Sequence, residues 1–175
     1  IARSAVSTAD LSAPLRQGVF MIGRKEFYTA LPSMFKECAE NFKNHDEFII
    51  SDMNANWKPS TSQVLDDIRA MPKYDEMMEV ELAITDPHSK VAANREESFQ
   101  TPWVEKVPLL GRVAKASNAA YSAFLNKLRA DSYNSIVTKW ESLGEVDLEF
   151  KRDLARYINS ATGRGDLKYF DDKVE

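Results

Sequence analysis

A stripe of apolar and small residues runs from Val113 to Trp140 with no proline inside it, and it constrains this chain more than any other feature. Val113, Ala116, Ala120, Tyr121, Phe124, Leu125, Leu128, Ser132, Ile136, Val137 and Trp140 recur at steps of three and four, which places them on one face of a helix. The spacing predicts a single long helix near residues 112–142, stopped by Gly144. Ala116, Ser117, Ala119, Ala120 and Ala123 keep one side of it small, so a second helix can approach closely there. A stripe of that length has to be buried against something, and the rest of the chain is expected to pack on it.

Shorter helical patterns lie on either side. Ser12 and Pro14 carry start chemistry for a brief helix from Leu15 to Ile22, which Gly23 would stop. Phe27, Ala30, Leu31, Met34, Phe35, Cys38 and Phe42 predict a second amphipathic segment. Pro32 sits within it, so either one helix ends at Leu31 and another begins, or a single helix kinks. Apolar Phe48, Ile49, Ile50 and Met53 follow, up to Trp57-Lys58-Pro59. Ser60, Thr61 and Ser62 are candidate caps for a helix from Gln63 to Ala70, with Val64, Leu65 and Ile68 inward and Pro72 closing it. From Tyr74 to Ile84 the pattern fits a helix, or a strand from Met78 onward. Helix is preferred, because a lone strand has nothing to pair with. Asp147 is placed to cap a last helix with Phe150, Leu154, Tyr157 and Ile158 inward and Gly163 or Gly165 as its stop.

The expected fold is therefore all-α, with about six helices and an extended connector near residues 85–107. The organisation reads as an N-terminal arm and short helix (1–23), a helical region (24–84), the connector, the long helix with the C-terminal helix (108–165), and a tail (166–175). At 175 residues the chain fits one domain with an arm. In the connector, Phe99 and Trp103 are two large aromatics that a small domain has trouble covering alone. The chain begins at Ile1 without an initiator methionine, which suits a piece of a longer polypeptide.

Chemistry is sparse. The net charge of −4 and the scatter of basic residues argue against a dedicated nucleic-acid domain, which clusters Lys and Arg to neutralise phosphates. No apolar run reaches the roughly 18 residues that span a bilayer. His45 and His88 lie far apart, with none of the short local spacings of a zinc site. Cys38, the single cysteine, falls on an apolar stripe and reads as an inert thiol, although a histidine such as His88 would make it a nucleophile. Glu96-Glu97, Asp66-Asp67 and Asp171-Asp172 are adjacent pairs; on a helix such neighbours point about 100° apart and do not converge. Gly163-Arg164-Gly165 follows a helix, so it lacks the positive helix end that would bind phosphate. Met71, Met77 and Met78 read as core filling. No catalytic, metal-binding or cofactor-binding residue is assigned, and no cofactor is expected.

The stretch from Val107 to Leu167 resembles a helical associated region of the large polyvalent proteins of tailed phages. The resemblance lies in Val107 to Asp131 (VPLLGRVAKASNAAYSAFLNKLRAD) and Leu154 to Gly165 (LARYINSATGRG). Ala9 to Gly18 (ADLSAPLRQG) and Arg95-Glu96-Glu97 echo neighbouring parts, whereas the middle from about Asp46 to Ser89 has no counterpart. It implies a helical, non-enzymatic segment of an internal virion or ejection protein, carried in the virion and delivered to the host on infection. The implied partners are other copies of the chain or portal, tail and other ejection proteins, with at most weak DNA contact. The alternative is a non-catalytic accessory domain of a larger virion-delivered enzyme, such as a polymerase or DNA-modifying protein. The residues expected to carry packing and interaction are Tyr121, Phe124, Leu125, Leu128, Ile136, Trp140, Phe99 and Trp103.

Overall fold

The computed structural model describes residues 16–43, 62–85 and 108–165, with the side chains at the start of the long helix described at Val113 and from Ala116 onward. Five α-helices and one 3₁₀ turn make up these residues, with no strand among them, so the fold is all-α. They are α1 (Lys25–Lys43), α2 (Gln63–Arg69), α3 (Tyr74–Glu79), α4 (Pro108–Glu141) and α5 (Leu148–Ala161). Most of the connector (86–107), the first fifteen residues and the tail lie outside the described residues.

The long helix starts four residues earlier than the periodicity predicts. Pro108 opens it, at a position where the missing N–H is no loss. Its 34 residues give a rod of about 50 Å. The stripe predicted one buried face, and here the structure differs. Ser122, Ala123, Phe124, Leu125 and Asn126 are consecutive and all buried, and so are Leu128, Arg129 and Ala130. Five successive residues cover the full circumference of a helix, so the middle of α4 is enclosed on every side. The other helices and the residues after α3 pack around it, and α1 makes the most extensive of these contacts.

α1 is one continuous element with Pro32 inside it. Pro32 is exposed, so its ring and the unpaired carbonyl it leaves on the preceding turn face solvent. Phe27, Ala30 and Met34 enter the core, joined by partly buried Leu31 and Cys38. Phe35 and Phe42, expected on the same face, are instead 57% and 42% exposed. Two interleaved chains of three- and four-residue steps run through this segment, and packing on α4 selects the one through Phe27 and Met34. Glu26 and Glu37 are buried in their place.

Before α1, in the described part of the brief helix expected over 15–22, Arg16 is helical and a 3₁₀ turn follows at Val19–Met21 that buries only Met21. α2 begins as expected: Ser62 is its N-cap, with the side chain accepting from Leu65 N, and Val64, Leu65 and Ile68 point inward. α5 is capped by Asp147, whose Oδ1 accepts from Phe150 N at 2.7 Å. Its inward residues are Ala155 and Ile158, with Leu154 partly buried. Tyr157, expected inside, is 61% exposed.

Between Tyr74 and Ile84 helix gives way to irregular chain. α3 ends at Glu79, and a hydrogen-bonded cap leads into residues 82–85, where Ile84 N closes a three-residue turn on Leu82 O (2.8 Å). Leu82 N donates to Met77 O (2.9 Å) and Glu81 N to Met78 O (3.2 Å), the paired bonds of a Schellman cap, with buried Leu82 beside buried Met77. The left-handed position of this cap, usually glycine, is Glu81 with φ +60°. The equivalent position after α5 is Gly163 at φ +75°. A left-handed non-glycine residue costs about 1–2 kcal/mol, and glycine in its place costs up to about 1 kcal/mol of chain entropy. Glu81→Gly is therefore expected to stabilise the protein by about 0.5–1 kcal/mol, read as a higher unfolding midpoint in urea. An unchanged or lower midpoint contradicts the assigned backbone strain.

Candidate functional site

The six expected packing residues inside the described region, all on α4, take different positions. Phe124, Leu125 and Leu128 are buried at 0–2% exposure. Tyr121 packs against the core from its edge, and Ile136 is half-buried. Trp140, expected to face inward, is 50% exposed and leans on Phe150 with ring centroids 5.4 Å apart. Phe99 and Trp103 lie outside the described residues.

The most organised polar arrangement is a clamp around residues 81–85. Asn126 on α4 pairs with both backbone groups of Thr85: its Oδ1 accepts from Thr85 N (2.9 Å) and its Nδ2 donates to Thr85 O (2.6 Å). Asn159 on α5 does the same one step back, accepting from Ala83 N (2.9 Å) and donating to Glu81 O (3.0 Å). Between them Arg129, 1% exposed, donates from Nη1 to Ala83 O (2.8 Å). Its Nε donates to Thr162 Oγ1 (2.7 Å) and its Nη2 to Thr162 O (2.9 Å). Thr162 in turn donates to Ile158 O at 2.7 Å. Three side chains thus supply donors and acceptors to the partly buried backbone of residues 81–85. Backbone withdrawn from water needs such partners, since each unsatisfied group costs about 1–3 kcal/mol when fully buried.

Nothing local in the sequence marks these side chains as partners of residues 81–85, since they lie 41 to 78 positions away. A signal was present for Arg129 itself: Leu125, Arg129, Ser132 and Ile136 are spaced by four, three and four. An arginine in such a row is either at the surface or bonded inside.

A second polar group ties α3, α4 and α5 together. Lys151 Nζ reaches Glu76 Oε2 (2.6 Å) and Glu141 Oε1 (2.8 Å), and Lys73 Nζ reaches Glu141 Oε2 (2.6 Å). Tyr133, fully buried, donates its hydroxyl to Glu76 Oε1 at 3.0 Å. Burial and the Glu76 carboxylate push the Tyr133 phenol well above its usual range. Hydrogen bonds from Lys151 and Lys73 hold Glu141 below the usual carboxylate range, and the same contacts with Glu141 and Glu76 raise Lys151. These contacts brace the three helices against one another.

An open cleft of about 540 Å³ lies between Gly23–Glu26 and the α4 residues Ser135, Ile136, Lys139 and Trp140. Glu26 lines it and is 4% exposed. Burial raises its pKa, but its own backbone N–H, the Ser135 hydroxyl and Arg24 outweigh this and leave the carboxyl below its ordinary value. The acid therefore anchors the first turn of α1 to α4.

Glu37 behaves oppositely. Burial raises it, opposed by hydrogen bonds from Ser62 and Asn41, while Glu40 adds to the rise and Lys36 works against it. A carboxyl raised in the folded state contributes stability that is full below its unfolded pKa and lost as pH rises through its folded pKa. Glu37→Gln is thus expected to raise the melting temperature at pH 7, with the gain vanishing below the ordinary glutamate pKa. An equal gain at both pH values contradicts this assignment.

Cys38 is half-buried, and burial pushes its thiol pKa up, away from the thiolate that reacts. His45 and His88 lie outside the described residues. Among the described residues no three His, Cys, Asp or Glu side chains are grouped to hold a metal ion, and no helix is long and apolar enough to cross a membrane. The three methionines separate: Met77 is buried, Met71 touches the core and Met78 is 46% exposed.

These groups hold helices and the chain after α3 in fixed relation. No protein-family model, curated protein or solved structure matches the chain.

Proposed function

We propose that this chain is a structural segment of an internal virion, ejection-type protein of a tailed phage. In this reading it serves genome delivery by holding position against other copies of itself or against portal, tail or other ejection proteins, and it converts no substrate. One observation carries the proposal: the residues most specific to the resemblance are those that tie the fold together. Asn126 and Arg129, from the Asn126–Asp131 core of the long helix, form two arms of the clamp on residues 81–85. Lys127 and Asp131 from the same core form an ion pair at 2.8 Å. Asn159 and Thr162, from the other matching stretch, supply the third arm and the anchor of Arg129, and Gly163 provides the left-handed turn that ends α5. A motif used in this way preserves an architecture.

The test is mass spectrometry of purified virions from the phage whose genome encodes the chain, with peptides counted against the portal protein. The expected result is several copies per particle, protected from protease until the capsid is opened. Absence from the particle overturns the proposal. A polymerase or modifying-enzyme motif in the same reading frame, with the chain present in virions, replaces it with the accessory-domain alternative.

A further inference from the structure

The face of α1 turned away from α4 carries an unexpected row. Tyr28, Phe35 and Phe42 are 57%, 57% and 42% exposed. They are seven residues apart, and seven residues complete almost two turns, so the rings stand nearly in line over about 21 Å. Exposed Pro32 and Ala39 lie between them and leave shallow gaps between the rings. Lys25, Lys36 and Lys43 are exposed along the same side, Lys36 with its ammonium 2.6 Å from Gln63 Oε1. This is an apolar ridge bordered by three lysines, with half-buried Glu40 between Lys36 and Lys43.

The turn between α4 and α5 carries the converse. Trp140, Leu143 and Leu148 are 50%, 74% and 39% exposed. Glu145, Asp147 and Glu149 are exposed close to the two leucines in sequence, and Lys139 and Arg152 are exposed on the flanking helices. It is an apolar knob with a negative border.

We infer that the α4–α5 tip of one copy seats on the α1 aromatic row of a second copy. Each half of the complementary pair is present on this one chain, which points to a second copy as the occupant. Two α1 rows placed together would instead oppose lysine to lysine. The row flanks α4 while the tip caps its end, so the contact joins unlike surfaces and leaves one of each free on every added copy. Contacts of that kind close into a ring or continue as a filament. The contact area is small, so a single contact is weak, about micromolar or weaker, and salt-sensitive. The inference deepens the virion reading by naming the surface through which copies meet, yet it is testable without a virion.

Sedimentation velocity of the 175-residue chain supplies the test. At about 0.05 M salt the average mass is expected to rise with concentration, and at about 0.5 M salt to fall towards the monomer. Lys36→Glu with Lys43→Glu, and separately Glu145→Lys with Glu149→Lys, are each expected to weaken self-association at least about tenfold. Mixing the two double variants is expected to restore association, because an acidic row then meets a basic tip. Phe35→Ser, at an exposed site, removes the central ring and is expected to weaken association without changing the helical signal. A chain that stays monomeric in low salt, or double variants that do not recover on mixing, overturns the inference. A monomeric chain that is nonetheless found in virions leaves the virion reading standing; a self-associating chain missing from virions does the reverse.

Discussion

Arg129→Ala is expected to lower the thermal midpoint by about 10 °C, the largest loss expected among single polar substitutions. The guanidinium is 1% exposed and fills the space between α4, α5 and the chain after α3. Its removal strips donors from Ala83 O, Thr162 O and Thr162 Oγ1 together and leaves a cavity. Buried unsatisfied groups cost about 1–3 kcal/mol each and are not additive, so the combined loss is about 4 kcal/mol. For a chain of this size each kcal/mol moves the midpoint by roughly 2–4 °C. Arg129→Lys recovers less than half, because one ammonium cannot span both Ala83 and Thr162. The distinguishing measurement is amide exchange: in Arg129→Ala, protection at Ala83 and Thr85 falls before protection in α1. A midpoint within about 2 °C of wild type contradicts the clamp.

Phe124→Ala is expected to cost about 3–5 kcal/mol by a different route. The ring is fully buried and meets Phe27 edge-to-face, with centroids 5.5 Å apart and planes at 85°. Truncation opens a cavity where α1 rests on α4, and here exchange rises along α1 first. Phe124→Leu keeps most of the volume and recovers most of the stability. Pairing Phe124→Leu with Phe27→Leu in a double-mutant cycle isolates the ring–ring contribution, expected near 1 kcal/mol. Chemical denaturation reads both. A coupling near zero means that the rings merely fill space.

How far the sequence was legible depends on the distance over which each feature is decided. Ser62 and Asp147 cap their helices through bonds to residues three positions on. Gly163 turns the chain after α5 because a residue without Cβ takes a positive φ at no steric cost. These were readable locally. The helix preferred from Tyr74 stops at Glu79, and no strand among the described residues pairs with the chain after it. Asn126, Arg129 and Asn159 satisfy the backbone instead, and the asparagines lie 41 and 76 positions from the residues they bind. Phe35 and Phe42 show the same limit in α1. Two apolar rows satisfied the helical period equally well, and only contact with α4 could decide between them.

Sequence alone determined that this protein is helical, where its long rod lies, and how several of its helices begin or end, because those outcomes depend on bonds within a turn or so. Tertiary structure decided which polar side chains went inside and which aromatics stayed outside. Burying an arginine or an asparagine is favourable only where its hydrogen-bond partners have already been brought from elsewhere in the chain, and an aromatic ring is covered only where another element arrives to cover it.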